Sequence, residues 1–171
     1  MKYEVFGPFE LPRTDGNLLD CQPESKKAFW AEVNGSNPGL SEACGCYVVS
    51  VHWVVQYVGL ARRQSFEGEC FQPHKAVLYS KAMQTRKSPW RLHLLARMTP
   101  GGRFAKPSPT HSDIVDLERL LIAYAIERNE DLLNKKDTGF FRDAVVPGII
   151  NSPRGEARAA AVQSLKQVLG L

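Results

Sequence analysis

A chain of 171 residues, 43% hydrophobic and 23% charged, is long enough for one domain with a real core. It has no run of eighteen apolar residues and so no helix suited to span a membrane; acids and prolines in MKYEVFGPFELPR replace the apolar block of a secretory signal, and a cytoplasmic location is expected. The net charge of +4 is uneven, because residues 60–106 hold ten basic and two acidic side chains, which makes that window +8 and the remainder −4, as expected for one polyanion-facing surface.

In chain order, residues 3–11 predict a short strand interrupted at Gly7-Pro8, which restricts it to a sheet edge or a bulge. After a turn-rich stretch, Lys26 to Val33 predicts two helical turns with Phe29, Trp30 and Val33 inward, followed by a loop over NGSNP at 34–38. Residues 1–42 form an accessory extension to the main domain. Ala43–Val51 and Val54–Leu60 read as two strands rich in Val and Tyr, with the turn near His52-Trp53. Side chains alternate faces along a strand, so Tyr47 and Tyr57 share a face only if the hairpin has a three-residue loop or an equivalent bulge. One of these is expected.

Residues 61–73 read as an irregular connection, and 74–84 as a helix with Lys75 and Tyr79 on one face at i, i+4. Residues 91–98 read as a third central strand with Leu92, Leu94, Ala96 and Met98 on one side. The Pro/Gly-rich segment 99–110 reads as a flexible loop carrying Arg103 and Lys106. The clearest helix follows, with Ser112 as its cap, Asp113 and Asp116 in the first turn, and Ile114, Leu117, Leu121 and Ala125 at helical spacing. Glu118 lies inside that apolar stripe, where a carboxylate must be paired or hold a metal. Residues 137–152 read as loop, with Phe140, Phe141 and Val145 in apolar contacts. Residues 154–169 predict a helix burying Ala161, Val162, Leu165, Val168 and Leu169. The four cysteines, Cys21, Cys44, Cys46 and Cys70, are expected as free thiols; with His74 they lack the C-x-x-C spacing of a zinc site.

The triplets GCY at 45–47 and YVG at 57–59, then LERLLI at 117–122 and LLN at 132–134, resemble the GIY-YIG nuclease family over roughly residues 43–136. The resemblance implies an α+β fold: a small three-stranded mixed or antiparallel central sheet flanked by helices, with an N-terminal strand and helix and a C-terminal loop and helix (137–171) as extensions. It implies a metal-dependent DNA endonuclease that hydrolyses phosphodiester bonds with one divalent cation, Mg²⁺ or Mn²⁺, at Glu118. One carboxylate plus waters suits Mg²⁺, which keeps most of its hydration shell.

By the same resemblance, Tyr47 contacts the nucleophilic water and takes its proton, which requires cations that stabilise the phenolate, since a phenol ionises near pH ~10. Tyr57 orders the site, with Gly45, Gly59 and Asn134 as structural support. The family places an Arg on the helix after the hairpin; here Lys75, with Tyr79 one turn later, stands at that place, and Arg62 or Arg63 offers the missing guanidinium. The expected DNA-contacting residues are Arg63, His74, Arg97, Arg103 and Lys106. One Glu118 site cuts one strand, so a double-strand break requires a homodimer or two successive visits. The alternative expectation is a non-catalytic nucleic-acid- or partner-binding module on the same fold.

Overall fold

The computed structural model describes residues 1–134, 143, 145 and 160–170. The chain divides into two compact units, Met1–Leu133 and Asn134–Leu171. The first unit is α+β and built on one antiparallel sheet of four strands: β1 (Lys2–Glu10), β2 (Gly45–Val51), β3 (Val54–Ala61) and β4 (Trp90–Met98), in the order β1-β4-β2-β3. Its helices are α1 (Pro23–Ser36), α2 (Phe66–Cys70), α3 (Pro73–Thr85) and α4 (Ser112–Ile126).

The sheet has four strands, not three, because the N-terminal strand pairs along β4 from Lys2↔Met98 to Glu10↔Arg91. Gly7-Pro8 does confine β1 to the edge. Phe6 pairs with Leu94 and Phe9 with Leu92, so one extra residue bulges where the proline has no N–H to give the ladder. β4 alternates strictly, with Trp90, Leu92, Leu94, Ala96 and Met98 buried.

That alternation separates two apolar clusters. Tyr47, Val49 and Val51 of β2 join Leu92 and Leu94 of β4 beneath α1 and α3, with Phe29, Trp30, Val33, Tyr79 and Met83 filling the layer. Phe29, Trp30 and Phe71 meet edge-to-face with ring centroids 5.0–5.8 Å apart. Cys44 and Cys46 form the second cluster with Ala105 and Ile114 of α4, flanked by Leu60, Leu95, Leu117 and Leu121.

Three local expectations are corrected. The connection after β3 contains α2, whose first turn is closed by Ser65 Oγ accepting from Gly68 N–H at 3.3 Å. Ser112 is the first residue of α4 rather than its cap; His111 occupies the cap position, its ring bonded to the Lys106 carbonyl at 3.2 Å and not to the helix. The fully buried residues of α4 are Ile114, Ile122, Ala125 and Ile126, whereas Leu117 and Leu121 are half-buried, so the stripe is rotated toward the later positions.

The described part of the second unit includes α5 (Ala160–Leu169), in which no residue is buried; Leu165, Val168 and Leu169 are exposed rather than forming the expected buried face. Val145 is exposed as well. Phe140, Phe141 and the expected helical turn at 154–159 lie outside the described residues.

Candidate active site

The hairpin decides whether Tyr47 and Tyr57 meet. Val51 pairs with Val54, so the connection is the two-residue His52-Trp53, with His52 at φ 53°. A regular ladder from there would put Tyr57 on the face opposite Tyr47. The register instead shifts between Ser50↔Val55 and Val49↔Tyr57, and Gln56 is the extra residue. The bulge restores the parity. The Tyr47 and Tyr57 rings stack at 6.1 Å and 28°, and Tyr79 of α3 meets Tyr57 edge-on at 5.4 Å.

Gln56 is held tightly for a bulged residue. Its side chain is buried, donating to Val54 O at 3.2 Å and accepting from Arg86 Nη1 at 2.6 Å. Its carbonyl accepts from Leu133 N–H at 2.8 Å, and Asn129 Nδ2 donates to Val55 O at 2.7 Å. Residues just after α4 thus clamp the bulge. Asn134, the next residue after Leu133, is the first of the second unit.

Both motif glycines are required sterically. Tyr47 pairs with Gly59, and a Cβ there would lie 2.3 Å from the Tyr47 ring. A Cβ on Gly45 would lie 2.0 Å from the Leu95 carbonyl oxygen. Tyr47 can therefore lie flat across β3 only because β3 has no side chain at that point.

The cations are arranged differently from expectation. Lys75 is buried, 4% exposed, with its Nζ 5.2 Å from the centroid of the Tyr47 ring. It forms an ion pair with Glu69 at the end of α2 and donates to the Glu69 carbonyl at 3.2 Å, while Gln72 Nε2 donates to Glu69 Oε2 at 3.1 Å. Lys75 thus answers an internal carboxylate. Glu69 was not anticipated from the sequence; its partner lies six residues on, across the helix break at Pro73, so no i, i+4 spacing marks the pair. Arg62 is half-buried at the end of β3, its carbonyl accepting from Ser108 N–H, and takes no part in the ion pairs of the described residues. Arg63, His74 and Arg103 are exposed. Arg97 is bound to Asp113 at 2.7 Å, and Asp113 also accepts from Tyr3 at 2.7 Å, which joins β4, α4 and β1. Lys106, itself exposed, pairs with Glu42.

Burial governs the ionisation of the tyrosines. Tyr47 and Tyr79 are almost wholly enclosed, and burial first, then the neighbouring phenols, drives both well above their ordinary value. Their hydroxyls perturb one another, yet neither meets hydrogen-bonding geometry among the described residues. Tyr57 is half-buried; burial, and next the Glu118 charge, push it up to about 12. All three phenols are protonated at neutral pH and so donate rather than accept a proton.

Glu118 is half-buried on α4, one turn from both Ile114 and Ile122. Helix α4 packs on the Cys46 face of the sheet, opposite the tyrosine cluster. Because β3 is the outermost strand, the two faces meet around its edge, and the Glu118 charge raises the pKa of Cys46 on one side and Tyr57 on the other. The cysteines are free thiols; Cys46 Sγ lies 3.3 Å from Ile114 O, its ionisation suppressed chiefly by burial. No group of three or more His, Cys, Asp or Glu side chains is gathered for a metal among the described residues. A carboxylate such as that of Glu118, completed by water, is a hard-oxygen ligand set of the kind that suits Mg²⁺ or Mn²⁺. No described helix is long and apolar enough to cross a membrane.

Comparison with protein-family models, with curated proteins and with solved structures found no match.

Proposed function

We propose that this chain is a metal-dependent DNA endonuclease that hydrolyses phosphodiester bonds with a single Mg²⁺ or Mn²⁺ at Glu118. The observation that carries the reading is the Gln56 bulge. It spends a buried, multiply bonded residue to bring Tyr57 onto Tyr47, at the sheet edge where the Glu118 charge is felt.

The bound cation would supply positive charge to the scissile phosphate and the leaving oxygen. The chain's own residues would do the rest. Tyr57, protonated and the least buried of the three tyrosines, donates its O–H to the attacking water or a phosphate oxygen and so fixes the line of attack. Tyr47 supports Tyr57 by stacking; it is enclosed and uncharged, and so is a positioning residue rather than the proton acceptor. Arg62 and Arg63, just after β3 and outside the ion pairs of the described residues, are the guanidiniums available to hold the phosphate, since Lys75 is engaged by Glu69.

Nicking of supercoiled plasmid in Mg²⁺ and in Mn²⁺ tests the reading. Wild type nicks, and Glu118→Gln loses about 100-fold or more, as expected when several kcal/mol of transition-state charge stabilisation are removed. Full activity in Glu118→Gln would end the proposal.

A second reading is favoured by one specific observation. Tyr47 is fully buried and Lys75 is neutralised by Glu69, as in a non-catalytic DNA- or partner-binding module. That reading predicts binding without nicking in either metal.

A further inference from the structure

Two of the three tryptophans, Trp30 and Trp90, lie in the core at 3% and 0% exposure, whereas Trp53 is 90% exposed. It stands at the tip of the hairpin, in the two-residue connection between the paired Val51 and Val54. The tip is well anchored: His52 bonds through Nε2 to Ser88 Oγ at 2.7 Å, which ties it to the segment entering β4. That segment, residues 84–91, holds Arg86, Lys87 and Arg91 and no acid. Arg91 pairs in register with Ser50, next to the tip, and Arg86 is fixed by its bond to Gln56. None of the three cations takes part in the ion pairs of the described residues, unlike Lys75, Arg97 and Lys106. A large, stiff indole is thus presented to solvent, and the segment entering β4 to which the tip is tied carries three cations, with Glu10 of β1 opposite Arg91. The core gains nothing from it, and the strand ladder needs no aromatic at that position.

We propose that the His52-Trp53 tip is a stacking contact for unpaired nucleobases, with Lys87 and Arg91 on the flanking phosphates. Every base has a π-face, and an aromatic beside a basic track is the chemistry that holds single-stranded nucleic acid. Three residues, one of them the bulged Gln56, lie between Trp53 and Tyr57, so at most about 14 Å of extended chain joins them. The tip therefore selects DNA with unpaired bases close to the proposed point of cleavage. This rests on the nucleic-acid reading above and names its substrate class; it does not depend on cleavage.

The test uses the wild-type full chain in EDTA, so that no strand is cut, with a dodecamer of thymidine and a blunt duplex as probes. The single strand should quench the exposed part of the tryptophan emission and shield it from acrylamide, and the duplex should do neither. Fluorescence anisotropy of labelled dodecamer should show Trp53→Ala weakened about ten-fold or more and Trp53→Phe close to wild type. Because the side chain lies outside the core, Trp53→Ala should keep the wild-type melting temperature. Unchanged affinity in Trp53→Ala, or binding without quenching, overturns the proposal while leaving the nuclease reading intact. Emission that shifts with protein concentration alone, without DNA, shows the tip covered by a second copy of the chain and also overturns it. Failure of both probes to bind ends the proposal and the nucleic-acid reading together.

Discussion

Gly59 has no room for a methyl group. Gly59→Ala would set a carbon 2.3 Å from the Tyr47 ring, so the ring must leave its place across β3. Overpacking of this kind costs about 1–3 kcal/mol, and the loss should be read as a lower melting temperature. Asp113 offers a test that depends on pH. Burial opposes its ionisation, but the bonds from Arg97 and Tyr3 prevail and hold the carboxyl below its ordinary value. A depressed carboxyl contributes stability that is full above its unfolded pKa and is lost as pH falls through the folded one. Asp113→Asn should therefore destabilise by about 2 kcal/mol at neutral pH, and the gap to wild type should narrow below about pH 4 in urea titrations. Tyr57, at about 12, gives a kinetic counterpart: nicking should show no fall assignable to phenol ionisation up to about pH 10. Gly45, Gly59, Tyr47 and Tyr57 were legible in the sequence because their spacing is local to one hairpin. The engagement of Lys75 was not, because Glu69 comes from a different helix and charge alone does not reveal whether a lysine faces solvent.

Among the elements, the β2–β3 hairpin carries the most information. Strand parity narrowed the possibilities to an odd loop or a bulge, and the structure has the bulge, at Gln56. Sequence could not choose between them, because the choice is made by Arg86, Asn129 and Leu133, contacts 30 to 77 residues distant in the chain. Deleting Gln56 would leave Tyr57 opposite Val49 in a regular ladder and so keep it on the Tyr47 face. The far-UV circular dichroism and plasmid nicking should both be retained; loss of nicking with the fold intact would show that the bulge does more than set the parity. The five-residue α2 escaped the sequence reading because so short a helix shows no periodicity and contains Gly68. Helix α5 shows the opposite limit, since a regular apolar stripe states which side chains share a face and not what covers them.

Across the whole molecule, the fourth strand and the charge distribution matter most. β1 was legible as a strand and as an edge through Pro8, but its place beside β4 rather than outside the sheet is a matter of tertiary pairing. The basic window is partly neutralised within the chain, with Lys75, Arg97 and Lys106 in ion pairs, which leaves Arg62, Arg63, Lys81, Arg86, Lys87, Arg91 and Arg103 outside the ion pairs of the described residues. DNA affinity should fall with salt at a log–log slope of about −0.9 per phosphate contacted, and Arg62→Gln with Arg63→Gln should flatten that slope by about two units. The central claim is that Glu118 holds the one catalytic cation at the edge of β3. Anomalous diffraction from a crystal soaked in Mn²⁺ tests it most directly. The account predicts a peak at the Glu118 carboxylate, on the Tyr57 side of β3, and none in the Glu118→Gln crystal. A peak bound elsewhere, with none at Glu118 under saturating Mn²⁺, would contradict it.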